Sequence, residues 1–324
     1  MVRRRAWKLV CGAAMVFALS LGSLGGSGGE GPFGARSAEA SYDRPNDFVY
    51  QLQNIDLNAL GDTEFDLVII DYSRDGSDEE RFSADEIATL KNSPGGSKRV
   101  LSYMSIGEAE DYRWYWEKSW DADRNGKPDA GAPAWLGRSN PDWPGNYKVR
   151  YWDPAWQEIV YDYVDKVLAA GYDGIYLDII DAYEYWAPGG PGNPDRPTAE
   201  EDMVAFVKDI AGYARGNEPD FMVFVQNAEE LSRHSDYVQT VSGIGKEDLF
   251  YNGNRRKPGN EVNYSIEQLD RFKDAGKPVL VTDYVTRRAK IDKFYEKARS
   301  HRYVPFATRR DLHVLPTYPG PAPG

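Results

Sequence analysis

Acidic side chains recur in this sequence at one kind of place, the point where a short apolar run ends. Asp71 closes the run 66–71, Glu108 follows 99–104, and Asp178 and Asp181 end 174–179. Glu229 and Glu230 follow 221–225, Glu247 follows 237–241, and Asp283 closes 278–283. Any one of them reads as a solvated loop charge or a salt-bridged strand end. Several on one rim are different, because desolvated carboxylates need partners or a raised pKa, and such a group suits acid/base chemistry or a bound cation. The same loops are rich in aromatic residues: Trp114, Tyr115, Trp116, Trp143, Tyr147, Tyr151, Trp152, Tyr183, Tyr185, Trp186, Tyr251 and Tyr284. Flat aromatic faces suit the C–H faces of sugar rings, and a cationic aminosugar gains further from the ring quadrupole. Some of them, Trp152 and Trp156 included, have an alternative place filling core between helix and barrel.

Other chemistries lack their residues. The three histidines, His234, His301 and His313, are scattered, so a zinc site has no ligand set. No Gly-x-Ser-x-Gly elbow and no glycine-rich phosphate loop follows an apolar run. One loop has a separate character: Asp121, Asp123, Asn125 and Asp129 stand at positions one, three, five and nine with Gly126 at six, the oxygen order of a calcium loop. Position twelve is Ala132, where a bidentate glutamate belongs. The loop therefore reads either as a structural calcium site or as a polar turn ordered by its own hydrogen bonds. No cofactor is otherwise required.

Eight β-rich runs, 48–53, 66–71, 99–104, 174–179, 221–225, 237–241, 278–283 and 303–306, alternate with helical segments. Continuous apolar runs fit parallel strands covered by helices. Helix starts are marked by Ser83 with Glu86, Thr198 with Glu201 and Ser265 with Gln268, each a capping-box pair. Asp153-Pro154 supplies an N-cap followed by proline, and Gly171 closes that helix. Eight strands with intervening helices predict a single-domain (β/α)8 TIM barrel of the α/β class, spanning 41–324. In such a barrel the strand C-termini carry the active site, which is where the carboxylates gather.

The first forty residues read differently. Arg3, Arg4, Arg5 and Lys8 precede an apolar stretch and then Gly/Ser-rich residues, with small residues at Ser37-Ala38-Glu39-Ala40. This is the layout of an export signal, predicted to be cleaved between Ala35 and Ser41, with an uncleaved anchor as the alternative. Cys11 is the only cysteine and falls inside it, so the mature chain would rely on its core rather than on disulfides. The formal charge is −12, and without residues 1–40 it becomes −15, from 34 basic and 49 acidic residues. Nucleic acid is a poor partner for that surface and a cationic polymer a good one.

Five segments taken together carry a resemblance: 66–72 (DLVIIDY), 101–108 (LSYMSIGE), 147–153 (YKVRYWD), 171–178 (GYDGIYLD) and Gln226-Asn227. In order and spacing, across roughly 46–312, they resemble glycoside hydrolase family 114, the endo-α-1,4-polygalactosaminidases, and related extracellular TIM-barrel proteins. The resemblance implies an exported glycoside hydrolase acting on internal α-1,4 bonds of a galactosamine-rich, cationic polysaccharide. It also implies that Asp178 and Glu247 are the catalytic carboxylates. Asp71, Glu108, Asp181, Asn227 and Asp283 are then expected to orient hydroxyls or the amine, with Tyr72, Trp152, Tyr183 and Tyr251 offering faces to the sugar. The competing expectation is a catalytically inert polysaccharide-binding protein on the same scaffold. Two carboxylates facing one cleft separate the first from the second.

Overall fold

The computed structural model describes residues 44–316; the expected export segment, with Cys11, lies outside them. Eight strands form one sheet in chain order: β1 (Phe48–Gln51), β2 (Leu67–Ile70), β3 (Arg99–Ser105), β4 (Gly174–Asp178), β5 (Met222–Gln226), β6 (Gly243–Glu247), β7 (Val279–Asp283) and β8 (Val304–Ala307). All seven neighbouring pairs are parallel. The two edge strands meet through the rings of Phe48 and Phe306, with centroids 5.3 Å apart, so the sheet is nearly closed. The fold is the expected (β/α)8 barrel. No helix among the described residues is long and apolar enough to cross a membrane.

The α-helices of the described residues, α1 (Leu57–Gly61), α2 (Ala84–Lys91), α3 (Pro154–Ala169), α4 (Ala182–Trp186), α5 (Ala199–Asn217), α6 (Ser235–Thr240), α7 (Gly259–Asp274) and α8 (Arg288–Ser300), form where local chemistry starts and stops them. At α2 (Ala84–Lys91) Ser83 and Glu86 make the reciprocal capping box. At α3 (Pro154–Ala169) the Asp153 carboxylate accepts from the N–H of Ala155, and Gly171 ends the helix at φ +75°. Trp156, Val160, Tyr163, Val164 and Val167 are the buried stripe that docks α3 on the sheet. Thr198 precedes α5 (Ala199–Asn217), but its hydroxyl donates to Asp202 rather than capping the backbone. Ser265 is not a cap: it lies inside α7 (Gly259–Asp274), which starts after Pro258.

One strand differs from expectation. The run 237–241 is mostly helix, α6 (Ser235–Thr240), and the sixth strand is the glycine-containing Gly243–Glu247. Those glycines are required by the barrel interior. A Cβ on Gly243 would stand 2.3 Å from the Phe224 ring, and one on Gly245 would stand 1.8 Å from the Tyr176 hydroxyl. Glu247 is therefore the last residue of β6 rather than part of the loop beyond it.

Register then fixes which side chains face inward. Tyr103, Tyr176, Phe224 and Gly243 are successive partners at one level. Tyr50 packs among them, 5.3 Å from the Tyr176 ring and 6.4 Å from the Tyr103 ring. Two residues further along their strands, on the same face, come Ser105, Asp178, Gln226 and Gly245, and then Glu247. Thr282 pairs with Glu247 and so faces in; Asp283, the next residue, faces out.

Between β3 and α3 the chain adds a three-stranded antiparallel sheet, with Trp143–Val149 between Glu108–Glu110 and Leu136–Asn140. Beneath it runs a chain of ring contacts, Trp116 to Trp120 at 5.1 Å, Trp120 to Trp135 at 5.2 Å and Trp135 to Trp156 at 4.9 Å. Most aromatic residues of these loops thus build a wall rather than a surface.

Candidate active site

Three adjacent strand ends turn abruptly. Ile179 after β4, Asn227 and Ala228 after β5 and Asp248 after β6 all have positive φ, between 50° and 58°. For a β-branched isoleucine this is a strained conformation, and such strain of about 1–3 kcal/mol per residue persists only where the surroundings impose it. The turns do local work. Asp178 accepts the N–H of Ile179 at 2.7 Å, while its other oxygen takes the Tyr103 hydroxyl at 2.9 Å. Asn227 uses both ends of its amide on Glu247: Oδ1 accepts that residue's N–H at 3.0 Å and Nδ2 donates to its carboxylate at 3.3 Å. The Tyr284 hydroxyl donates to the other Glu247 oxygen.

Asp178 and Glu247 are both half-buried and both face into the top of the barrel. Burial, then the charge of Glu247, pushes the Asp178 carboxyl well above the usual range. Burial also raises Glu247, against the amides of Gln226 and Asn227. The groups donating to them are neutral and the field of Arg310 offsets the rise of Glu247 only in part, so the pair favours carrying one proton rather than none. One protonated and one ionised carboxyl in a desolvated pocket can supply an acid and a nucleophile or base together.

Beside this pair lies a second polar group. Glu108 is fully buried and accepts from Lys148 at 2.5 Å, Asn140 at 2.9 Å and Asn146 at 3.2 Å. Lys148 also lies over the Tyr185 ring, 5.2 Å from its centroid. Asp181 opens to solvent; the protein around it raises its carboxyl, Lys148 opposes that, and Glu108 adds to it. Glu184 and Glu230 are raised in the same way, first by burial and then by neighbouring carboxylates, with Lys246 opposing. Lys246 itself pairs with the buried Glu229 at 2.9 Å. The groups around the pair thus form a predominantly acidic wall.

Several expected contact residues are turned to other tasks. Asp283 is wholly buried outside the barrel and accepts the N–H groups of Leu249, Phe250 and Tyr251 at 2.7, 3.1 and 3.0 Å. Burial pushes its carboxyl up to about 7 against those donors. It anchors the loop after β6, and Tyr251 on that loop is itself buried. Asp71 faces in but is bound to the buried Arg113 at 2.7 Å, which also pairs with Glu110 at 2.6 Å. Tyr72 packs edge-on to Tyr163 and donates to the carbonyl of Gly76. Trp152 is wedged between Tyr151 and Trp186 with Arg196 over its face, and Tyr183 is buried. Asp178, Glu247 and Asn227 gather at adjacent strand ends with Asp181 just beyond β4, and the buried Glu108 adjoins them through the hydroxyl of Ser105, the strand partner of Asp178, which donates to the Glu108 carbonyl.

The sequence reading missed Tyr103, Lys148, Arg113 and Gln226. Tyr103 has a legible signal, since it stands two residues before the inward end of β3 and must share its face. Lys148 and Arg113 have none, because their partners are brought in by the antiparallel sheet.

In the calcium-like loop, Asp121, Asp123 and Asp129 bring ligand oxygens within 4.8 Å of one another. The same oxygens accept hydrogen bonds: Asp121 from Asn125 and Gly126 N–H at 3.0 and 2.9 Å and from the Tyr147 hydroxyl, and Asp129 from Ala122 N–H at 2.7 Å. Asn125 turns its amide nitrogen to Asp123 at 2.8 Å.

A (β/α)8 barrel with paired carboxyls at the inward ends of its strands is the build of a glycoside hydrolase. The chain matches glycoside-hydrolase family GH114 over residues 34–321 and belongs to that family. Its relatives include an uncharacterized protein of Methanocaldococcus jannaschii, 39% identical over 278 residues, covering 82% of this chain and 76% of that one. Another, from Thermotoga maritima, is 38% identical over 278 residues, covering 83% and 82%. Among solved structures, the glycoside hydrolase domain of PelA from Pseudomonas aeruginosa shares the fold with a TM-score of 0.61 at 18% identity, over 84% of this chain and 97% of that one. Aspergillus fumigatus Ega3, solved in complex with galactosamine, has a TM-score of 0.60 at 18% identity, over 82% and 92%.

Proposed function

We propose that this glycoside hydrolase is exported and cleaves internal α-1,4-galactosaminyl bonds of a cationic polysaccharide, with Asp178 as nucleophile and Glu247 as acid. The observation that carries the reading is the inward-facing pair on β4 and β6, desolvated together and held by neutral donors. Cleavage needs a proton for the leaving oxygen and a carboxylate at the anomeric carbon. Asp178 is fixed by Tyr103 and the Ile179 N–H, donors that suit an ionised oxygen. The larger rise in the free chain falls on Asp178, so the reading requires the shared proton to pass to the partly desolvated Glu247 when the sugar binds. Glu108, Asp181 and Asn227 position the sugar or the pair.

The choice of aminosugar rests on charge and on kinship. The acidic wall around Asp181 and the acidic chain favour a polymer carrying ammonium groups over a neutral or nucleic-acid partner. Ega3, of the same fold, was solved with galactosamine. The two-carboxylate route takes no cofactor. Incubation with galactosamine-rich, glucosamine-rich and neutral polysaccharides, with products sized by mass, tests the substrate. Release of internal fragments only from the first is expected, and cleavage of a neutral polymer instead would overturn it. The anomeric form of the new end distinguishes attack by Asp178 from attack by water. N-terminal sequencing of the exported protein tests export, with a start between Ala35 and Ser41 expected.

A further inference from the structure

Trp143 is the most exposed large hydrophobic residue among those described, 54% accessible, while most of the other loop aromatics named above are packed into the wall. Its strand explains where it points. In the hairpin of Leu136–Asn140 with Trp143–Val149, Ser139 pairs with Tyr147, yet the next residue, Asn140, pairs with Trp143. The intervening residues 144–146 form a wide irregularity in which Gly145 has φ +99°. Simple alternation would put Trp143 on the face of Tyr147, which is buried. The irregularity moves it to the face of Asn140 instead, as bulges near active sites re-aim side chains. That face adjoins the carboxylate pair: Asn140 and Lys148 both bond Glu108, which lies opposite Lys148, and the Glu108 carbonyl accepts from Ser105, the strand partner of Asp178.

We propose that Trp143 is the aromatic platform of a distal subsite, stacking on a pyranose ring of the polysaccharide several sugar units from the bond that is cut. The inference rests on the reading of the cleft as a polysaccharide site. The five-residue separation of Trp143 and Lys148 is at most about 17 Å of extended strand, enough for more than one sugar ring between them. The hairpin is rigidly held at its base by the Glu108 bonds, so the indole is presented without ordering a loop on binding. An endo-acting enzyme gains from such a contact because it grips chain on both sides of the cut.

Affinity electrophoresis through a gel containing galactosamine-rich polysaccharide tests it, since retention does not require cleavage. In an Asp178→Asn background, adding Trp143→Ala should weaken retention roughly two- to tenfold, the range of an aromatic stacking contact. Trp143→Phe should keep most of the retention, and Tyr264→Ala, an exposed aromatic on α7, all of it. Equal retention with and without Trp143, or equal loss in the Tyr264 control, overturns the inference. Retention that depends on Trp143 in a protein whose parent form never cuts the polymer supports this subsite and overturns the proposed activity. No retention of any variant overturns both.

Discussion

Asp178 and Asp283 end strands of the same barrel and are both desolvated, yet they stand in opposite situations. Asp178 faces in, with one hydroxyl and one N–H to hold it and Glu247 in its field. Asp283 faces out and binds three consecutive N–H groups of the loop that follows β6. One residue of strand parity decides the difference, because successive side chains leave opposite sides of the sheet. Of these two, the inward carboxylate is left with capacity for a ligand, whereas the outward one becomes backbone scaffolding. The same contrast holds within one function, since the loop that Asp283 pins leaves the end of the strand carrying Glu247.

The largest effect expected from this contrast is on turnover. Asp178→Asn and Glu247→Gln should each lower kcat by about 10²-fold to 10⁴-fold or more on a polysaccharide the parent cleaves, measured by release of reducing ends. Near-parent turnover in either variant would break the assignment of the pair. Both should still fold. Replacing a carboxyl that must either take up a proton or stay charged in a desolvated pocket should raise the melting temperature at pH 7, by roughly 2–4 °C for each kcal/mol gained.

Asp283 should respond with the opposite sign. Asp283→Ala strands three buried N–H groups, and a loss of about 3 kcal/mol is expected from unsatisfied buried donors. Chemical denaturation of Asp283→Ala beside Asp178→Asn sharpens the comparison. If both variants moved stability in the same direction, strand parity would not be what separates the two carboxylates.

A third test uses pH. Asp178, Glu247, Glu230 and Asp283 all have carboxyls raised above their ordinary values, chiefly by burial. Because the folded chain holds these protons more tightly than the unfolded chain, their contribution is full below the unfolded values and is lost as pH rises through the folded ones. The lowered carboxyls, such as Asp75, Glu86 and Asp236, are ionised in both states above pH 5 and add no slope there. The melting temperature should therefore fall from pH 5 to pH 8, and fall less in an Asp178→Asn/Glu247→Gln double variant. A flat profile in the parent would remove the desolvation argument.

How far this was legible in the sequence follows from the same parity. The barrel could be read from its apolar runs because parallel strands covered by helices need continuous hydrophobic residues. Strand β6 could not, since Gly243 and Gly245 look like a loop and are set by Phe224 and Tyr176 across the barrel. Asp178 and Glu247 were visible as strand-end acids carried by family likeness. The outward turn of Asp283 needed register, which depends on where β7 meets β6. Arg113 and Lys148 were invisible for a different reason: they sit beside or on the inserted sheet, and their partners, Asp71 at the end of β2 and Glu108 opposite Lys148 in that sheet, are distant in sequence.

The smallest expected effect concerns the loop around Asp121. Its three aspartates could ligate calcium, and without a bidentate glutamate at Ala132 such a site would bind weakly, with a Kd on the order of 10⁻⁴ to 10⁻³ M. At about 1 mM calcium that range corresponds to roughly 0.4–1.4 kcal/mol of stabilisation by mass action. The loop, however, already satisfies its charges. Burial raises the Asp121 carboxyl, but the Tyr147 hydroxyl and the N–H groups of Gly126 and Asn125 outweigh it and hold the group below its usual value. Asp123 and Asp129 are likewise engaged by Asn125 and Ala122. A carboxylate compensated by neutral donors has less to gain from a cation, and occupying it with calcium would require breaking some of those bonds. The melting temperature is therefore expected to be the same, within about 1 °C, in chelator and in 1 mM calcium. A calcium-dependent rise of several degrees that disappears in Asp121→Asn would establish the metal and show that these hydrogen bonds yield to it.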